Sequence, residues 1–186
     1  MFLQNISNNF LDPVTGYRQF IDIQSFVDYF LLNELSHNPD AYRLSTYMHK
    51  DRGGKLKMGP IWDYNIAFGN VNYCKGDAVN NWIYKYNDYC PDDFWLVPFW
   101  WEKLLEDPYF ADKIKSRWLE LRTNQLSDKE IFGKIDLLIS DLETSGAIKR
   151  NYERWPILGQ WIWPNSYVGT TYESEVSYLK TWLTQR

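Results

Sequence analysis

The stretch Thr46–Asp63, "TYMHKDRGGKLKMGPIWD", decides how this chain reads. Two strand-like runs surround Asp51, Arg52, Gly53 and Gly54, and the glycines supply the positive φ that a tight hairpin turn wants. Asp40 precedes the first strand and Asp63 follows the second. The turn falls midway between them, so closing the ribbon returns both carboxylates to the same end. Just beyond, in "DYNIAFGN", one acid and one amide, Asp63 and Asn65, are framed by Ile61, Trp62, Tyr64, Ile66 and Phe68. Two oxygen donors in an apolar frame suggest a hard cation. Like charges brought that close repel unless a cation or hydrogen-bond donor lies between them. Mg²⁺, which takes one or two carboxylates plus water and phosphate oxygens, suits such a mouth.

Outward from the hairpin the chain reads as helices. Before it, Phe2, Leu3, Ile6, Phe10 and Leu11 form one helical stripe ended by Asp12 and Pro13. Asp22 can cap a second helix over Ile23–Leu35, where Ile23, Phe26, Val27, Phe30, Leu31 and Leu35 recur at three and four residues. Pro39 stops it within "SHNPD". After the hairpin, the chain beyond Asn70 reads as a long irregular loop through Asp93, of the kind that is usually functional or mobile. Helix starts follow at Pro98, at the Asp107–Pro108 cap, at the "SDKE" capping box of Ser127–Glu130 and at Thr170–Glu173. Ile131, Ile135, Leu138, Ile139 and Leu142 give the third of these an apolar face, and Gly146 ends it. The expectation is an α+β fold, mostly α-helical, with a β-hairpin carrying the site and a helical C-terminal bundle. At 186 residues the chain fits a single domain, 1–186.

Composition narrows the partners. A net charge of −4 argues against nucleic acid, whose phosphates need a dense basic surface. No apolar run approaches the ~18 residues of a membrane span. Cys74 and Cys90 match no zinc pattern; they read either as two buried thiols or as a disulfide stabilising the fold by roughly 3 kcal/mol. His49 reads as a cross-strand neighbour, and His37, before Asp40, as a weaker candidate for chemistry than the acids. Arg43 suits an acid partner or a phosphate equally. Ten Trp and 14 Tyr must cover something. Trp95, Trp100, Trp101 and Trp118 are assigned to the core, whereas Trp155, Trp161 and Trp163 are less regular. Those three motivate a second reading, a non-catalytic module binding glycan or protein at a cell surface, for which three solvent-facing rings would speak.

The order acid, hairpin, acid, long loop, helices is also that of a protein-kinase C-lobe, where the first Asp orients the acceptor hydroxyl and the second holds the metal on ATP. Neither H-R-D nor D-F-G is present, and Leu44 stands four residues after Asp40, where an Asn is sought. The wording itself is more specific. "NEL", "NPDAYR", "YMHKDRGGKLKMGPIWD" and "DYNIAFGN", with the later "WLVPFWWEKLLEDP" and "YESEVSYLKTWLTQR", resemble the spore-coat CotH kinase family, in versions found among bacterial envelope relatives.

That resemblance covers nearly the whole chain. It implies an atypical, divergent kinase-like fold acting outside the cytoplasm, at the cell surface or in secreted form, that transfers the γ-phosphoryl group of ATP to Ser or Thr of an envelope or secreted protein. Mg²⁺ or Mn²⁺ is the implied metal. Carried over, Asp40 takes the catalytic-loop role and Asp63 the metal-binding role beside the nucleotide. Asn65 becomes a second metal ligand or its supporter, with Arg43 as the nucleotide-side cation, while Phe68 and Gly69 pack and bend the segment. The family's ATP-covering β-rich lobe and its phosphate-contacting Lys would precede this stretch, and the expectation is a C-lobe-like piece that turns over poorly alone.

Overall fold

In the computed structural model, which describes residues 9–186, the hairpin expected from the two glycines is present and short. Strands β1 (Met48–His49) and β2 (Lys57–Met58) run antiparallel, pairing Met48 with Met58 and His49 with Lys57. Gly53 takes φ +75° in the turn, where a β-carbon would meet nothing within 4 Å. The ribbon is anchored from outside: Leu56 N–H donates to Phe20 O and Asp22 N–H to Leu56 O, both at 2.8 Å. Two paired residues per strand cannot stand alone in water; those outer bonds and the adjoining helix hold them.

The contacts divide the chain into two compact units, the first comprising the described part of Met1–Tyr64 with Trp82–Trp118, the second Asn65–Asn81 with Leu119–Arg186. In the first, α1 spans Ile23–Ser36, and its N-cap Asp22 accepts from Ser25 N–H as the sequence indicates. Residues 83–85 form a 3₁₀ turn leading into α2 (Tyr86–Tyr89), so the stretch expected to be irregular carries structure of its own. Helices α3 (Trp100–Leu105) and α4 (Pro108–Arg122) follow the two proline signals. At the start of α4, Asp107 accepts from Tyr109 N–H at 3.0 Å and forms a bidentate pair with Arg18.

The first unit's core is aromatic. Trp101, 1 % exposed, has Phe26, Tyr29, Phe30 and Tyr42 around it, with ring centroids 4.6–6.3 Å away. Ile83, Tyr86, Leu104 and Phe110 are equally buried. Only Trp101 of the four tryptophans assigned to the core lies fully inside: Trp95 is exposed, and Trp100 and Trp118 are half-buried. The reason is local. α3 has one buried stripe, which Trp101 and Leu104 occupy, while Phe94, Trp95, Leu96 and Phe99 before it are exposed and Val97 turns inward.

The second unit contains α5 (Asp128–Thr144), α6 (Ala147–Arg154) and α7 (Tyr172–Gln185). Ser127 caps α5 by accepting from Glu130 N–H, Gly146 at φ +68° separates α5 from α6, and Thr171 and Ser174 form a reciprocal capping box on α7. The apolar stripe read for α5 is half covered: Ile131, Ile135 and Ile139 are half-buried, but Leu138 and Leu142 face solvent. Trp155, Trp161 and Trp163 are 58 %, 56 % and 68 % exposed. The stripe Phe2, Leu3 and Ile6 lies outside the described residues. No helix among those described is long and apolar enough to cross a membrane.

Candidate active site

The site is built where α1 ends. His37 caps the helix in the left-handed region, φ +48°, fully buried, and turns the chain into residues 38–45. Asn38, also buried, uses both ends of its amide. Its Oδ1 accepts from Asp40 N–H at 3.2 Å, and its Nδ2 donates to Asp63 O at 3.4 Å. One side chain thus joins the backbones that carry the two acids, holding Asp40 N within about 9 Å of Asp63 O, the two bonds plus the width of an amide. The hairpin supplies the return path, and Asn38 fastens its foot.

Asp63 is exposed and sits at φ +64°, a conformation that an Asp tolerates better than most residues. Its Oδ2 accepts from Ser45 Oγ at 3.3 Å. His37, Tyr42, Ser45 and Asp63 all have positive φ, so the turns that carry the acids are held in a sparsely populated region. Such strain concentrates at binding and catalytic sites. The neighbouring core supports it. Glu34, buried on α1, accepts from Tyr42 OH, Ile83 N–H and Tyr84 N–H, each at 2.9 Å, and so ties the 38–45 turn to the 3₁₀ segment.

Arg43 lies behind Asp40 with its side chain 3 % exposed. Nε donates to Pro39 O at 2.7 Å, Nη1 to Asp93 Oδ1 at 3.1 Å and to Trp95 O at 2.9 Å, and Nη2 to Asp40 Oδ1 at 3.2 Å. The guanidinium lies over the Tyr86 ring, 4.2 Å from its centroid. It is therefore engaged with oxygens of its own chain. Asp93 in turn accepts from Trp95 N–H and from Tyr86 OH.

The electrostatics follow. Burial raises the Asp40 carboxyl above the ordinary range; Arg43 opposes this, while Asp63 and Asp93 push it further up. The Tyr86 hydroxyl and Trp95 amide hold Asp93 below the ordinary range, helped by Arg43. Asp63 and Asp93 thus both act on Asp40, and the buried Arg43 guanidinium is the cation that Asp40 and Asp93 share. The oxygens of exposed Asp63 and half-buried Ser45 suit a hard divalent ion rather than a thiolate-seeking one.

Of the residues named from sequence, Asp40, Arg43 and Asp63 come together in the first unit. Asn65 belongs to the second unit; it is exposed, and its carbonyl accepts from Asn70 Nδ2 at 2.9 Å. Gly69 has φ +78°, and a β-carbon there would meet the Trp182 ring at 2.4 Å, so the "FGN" glycine answers to close packing as well as to the bend. His49 is exposed on β1. Cys74 and Cys90 are both disulfide-bonded.

Sequence reasoning missed Ser45, Asn38, Asp93 and Glu34. A signal existed for Ser45: the kinase pattern H-R-D-L-x-x-x-N places its Asn five residues after the Asp, which is Ser45 here and not Leu44. Asp93 carries no local signal, because its partner Arg43 is 50 residues upstream.

Neither the curated proteins nor the solved structures contain a significant match to this chain. The family comparison does: the model described as CotH kinase protein matches residues 1–186. With the whole chain matched, the protein belongs to the CotH kinase protein family.

Proposed function

We propose that this chain carries the phosphoryl-transfer chemistry of an atypical, CotH-type protein kinase, using ATP with Mg²⁺ or Mn²⁺ to phosphorylate Ser or Thr of a protein acceptor outside the cytoplasm. The observation that supports the reading is the Asn38 bridge, which ties the Asp40 and Asp63 backbones to one side chain while Arg43 bonds the Asp40 carboxylate. Asp40 orients the acceptor hydroxyl and takes its proton; its raised affinity for protons suits that role. Asp63, with Ser45 beside it, would hold the metal, whose contribution when bound would be charge neutralisation at the phosphate oxygens. Arg43 serves as the support of Asp40, since its donors are directed at the chain's own oxygens. Asn65 as a further ligand stands on the sequence alone.

The test is transfer from γ-labelled ATP to a generic Ser/Thr-containing acceptor protein. The expected result is slow, divalent-dependent labelling that Asp40→Ala and Asp63→Ala each abolish; labelling that both variants retain would remove the acids from the chemistry. A second reading has its own observation: Trp155, Trp161 and Trp163 all face solvent in the second unit, as a glycan- or protein-binding surface would require. Triple substitution of these rings by Ala, leaving phosphoryl transfer intact while abolishing retention on cell-envelope material, would assign them that separate role. Unchanged retention would refute it.

A further inference from the structure

We propose that Asp93 is a positioning residue for the phosphoryl-transfer site: it grips Arg43 at Nη1 while Asp40 bonds Nη2, and thereby fixes where the Asp40 carboxylate stands. The inference rests on the reading of Asp40 as the group that orients the acceptor. A guanidinium is a rigid planar fork with five N–H donors, and four partners here set its plane: Pro39 O, Asp93 Oδ1, Trp95 O and Asp40 Oδ1. Because the fork does not bend, an oxygen bound at Nη1 dictates the direction in which Nη2 presents its proton to Asp40.

Asp93 is itself immobilised. Tyr86, fully buried, donates its hydroxyl to Oδ2 at 2.7 Å and lays its ring beneath the guanidinium. Trp95 N–H donates to Oδ1 at 2.9 Å. The order Tyr86, Asp93, Arg43, Asp40 is therefore a chain of directional bonds from the core to the mouth of the site, every link within the first unit. A purely local role for Asp93, closing the turn at Trp95, would need only Oδ1 and would leave the Tyr86 bond and the Arg43 bond without purpose. The three charges form an acid–base–acid triad around a buried guanidinium, with both carboxylates partly exposed, in which removal of one acid leaves the others to rearrange.

The experiment compares wild type, Asp93→Ala, Asp93→Asn and Tyr86→Phe in the full chain, each checked for folding by near-UV circular dichroism. Two quantities are read: solvent exchange of the Arg43 side-chain N–H protons by NMR, and the kinetics of transfer from ATP. In Asp93→Ala the Arg43 protons should exchange at least about tenfold faster. Its kcat should fall roughly 100-fold, as for a catalytic group displaced by about 1 Å, with KM for ATP unchanged. Asp93→Asn, which keeps an oxygen for Arg43 and Trp95, should recover most of that loss, and Tyr86→Phe should fall between the two. Wild-type exchange at Arg43 in Asp93→Ala, or a change confined to KM, would overturn the proposal. Should Asp93→Ala fail to fold, wild-type exchange in both milder variants would overturn it equally. If the wild type shows no Asp40-dependent transfer, the kinase reading is what fails, and Arg43 exchange alone decides whether Asp93 holds the guanidinium.

Discussion

Glu34→Gln tests whether the turn that bears Asp40 is held from within the core. The wild-type carboxylate is buried and receives three donors: Tyr42 OH and Tyr84 N–H on Oε1, Ile83 N–H on Oε2. The amide can keep its oxygen toward Tyr42 and Tyr84, but its NH₂ must then face Ile83 N–H, leaving one buried donor unsatisfied at about 1–3 kcal/mol. The two retained bonds lose their charge assistance, which is worth roughly half their strength. Together these give a loss of about 3 kcal/mol, a large share of the ~5–15 kcal/mol that separates folded from unfolded in a typical domain. Amide hydrogen exchange reads it locally: Ile83 and Tyr84 should exchange about 100-fold faster in the variant, since each 1.4 kcal/mol is a factor of ten. Thermal unfolding should fall by roughly 6–12 °C for a chain of this size. A variant within about 1 kcal/mol of wild type, with Ile83 exchange unchanged, would refute the bonding described and with it the support of the 38–45 turn.

Three further outcomes follow from the same geometry. Asp40 holds its proton more tightly folded than unfolded, so its ionisation opposes folding as pH rises from the unfolded value, about 3.8, through the higher folded one. In metal-free buffer Asp40→Asn should therefore melt above wild type at pH 7, with the difference closing near pH 3; a variant less stable at pH 7 would contradict this. Asp107 runs the other way: burial alone would raise it, but Tyr17 OH, Arg18 and the Tyr109 amide bring it below the ordinary range, so its contribution is present above about pH 4 and lost as pH falls through the folded value. Asp107→Asn should cost about 3 kcal/mol in urea unfolding at pH 7 and much less at pH 3; an equal cost at both would refute the ionic account. Gly69→Ala, which meets the Trp182 ring at 2.4 Å and strains φ +78°, should destabilise the second unit by about 3 kcal/mol, measured by fluorescence-monitored unfolding. A neutral substitution would show that the Trp182 ring yields.

Much of the framework was legible because it depends on local chemistry. Asp22 and Ser127 cap the helices they precede, and Gly53 turns the hairpin, for reasons that reside within four residues of each; the last helix starts one residue later than the Thr170–Glu173 reading, with Thr171 as its cap and Ser174 as the box partner. The approach of the backbones that carry Asp40 and Asp63 was legible for a different reason: a two-stranded ribbon is symmetric about its turn, so numbering alone implies which ends meet. What eluded sequence reading involves partners far apart in the chain. The Arg43–Asp93 and Glu34–Ile83 bonds span 50 and 49 residues, and nothing in either segment marks its partner. Tryptophan burial eluded it as well, since hydrophobicity ranks Trp95 and Trp101 alike while the geometry of one short helix buries only the second.

The most direct test of the central claim, that Asp40 and Asp63 share one metal–nucleotide mouth, is NMR of the ¹⁵N-labelled chain with Mn²⁺ and ATP. Paramagnetic broadening should centre on Ser45, Asp63 and Asp40 and disappear in Asp63→Ala at the same concentrations. Broadening that spares these residues, or that persists undiminished in Asp63→Ala, would contradict the account.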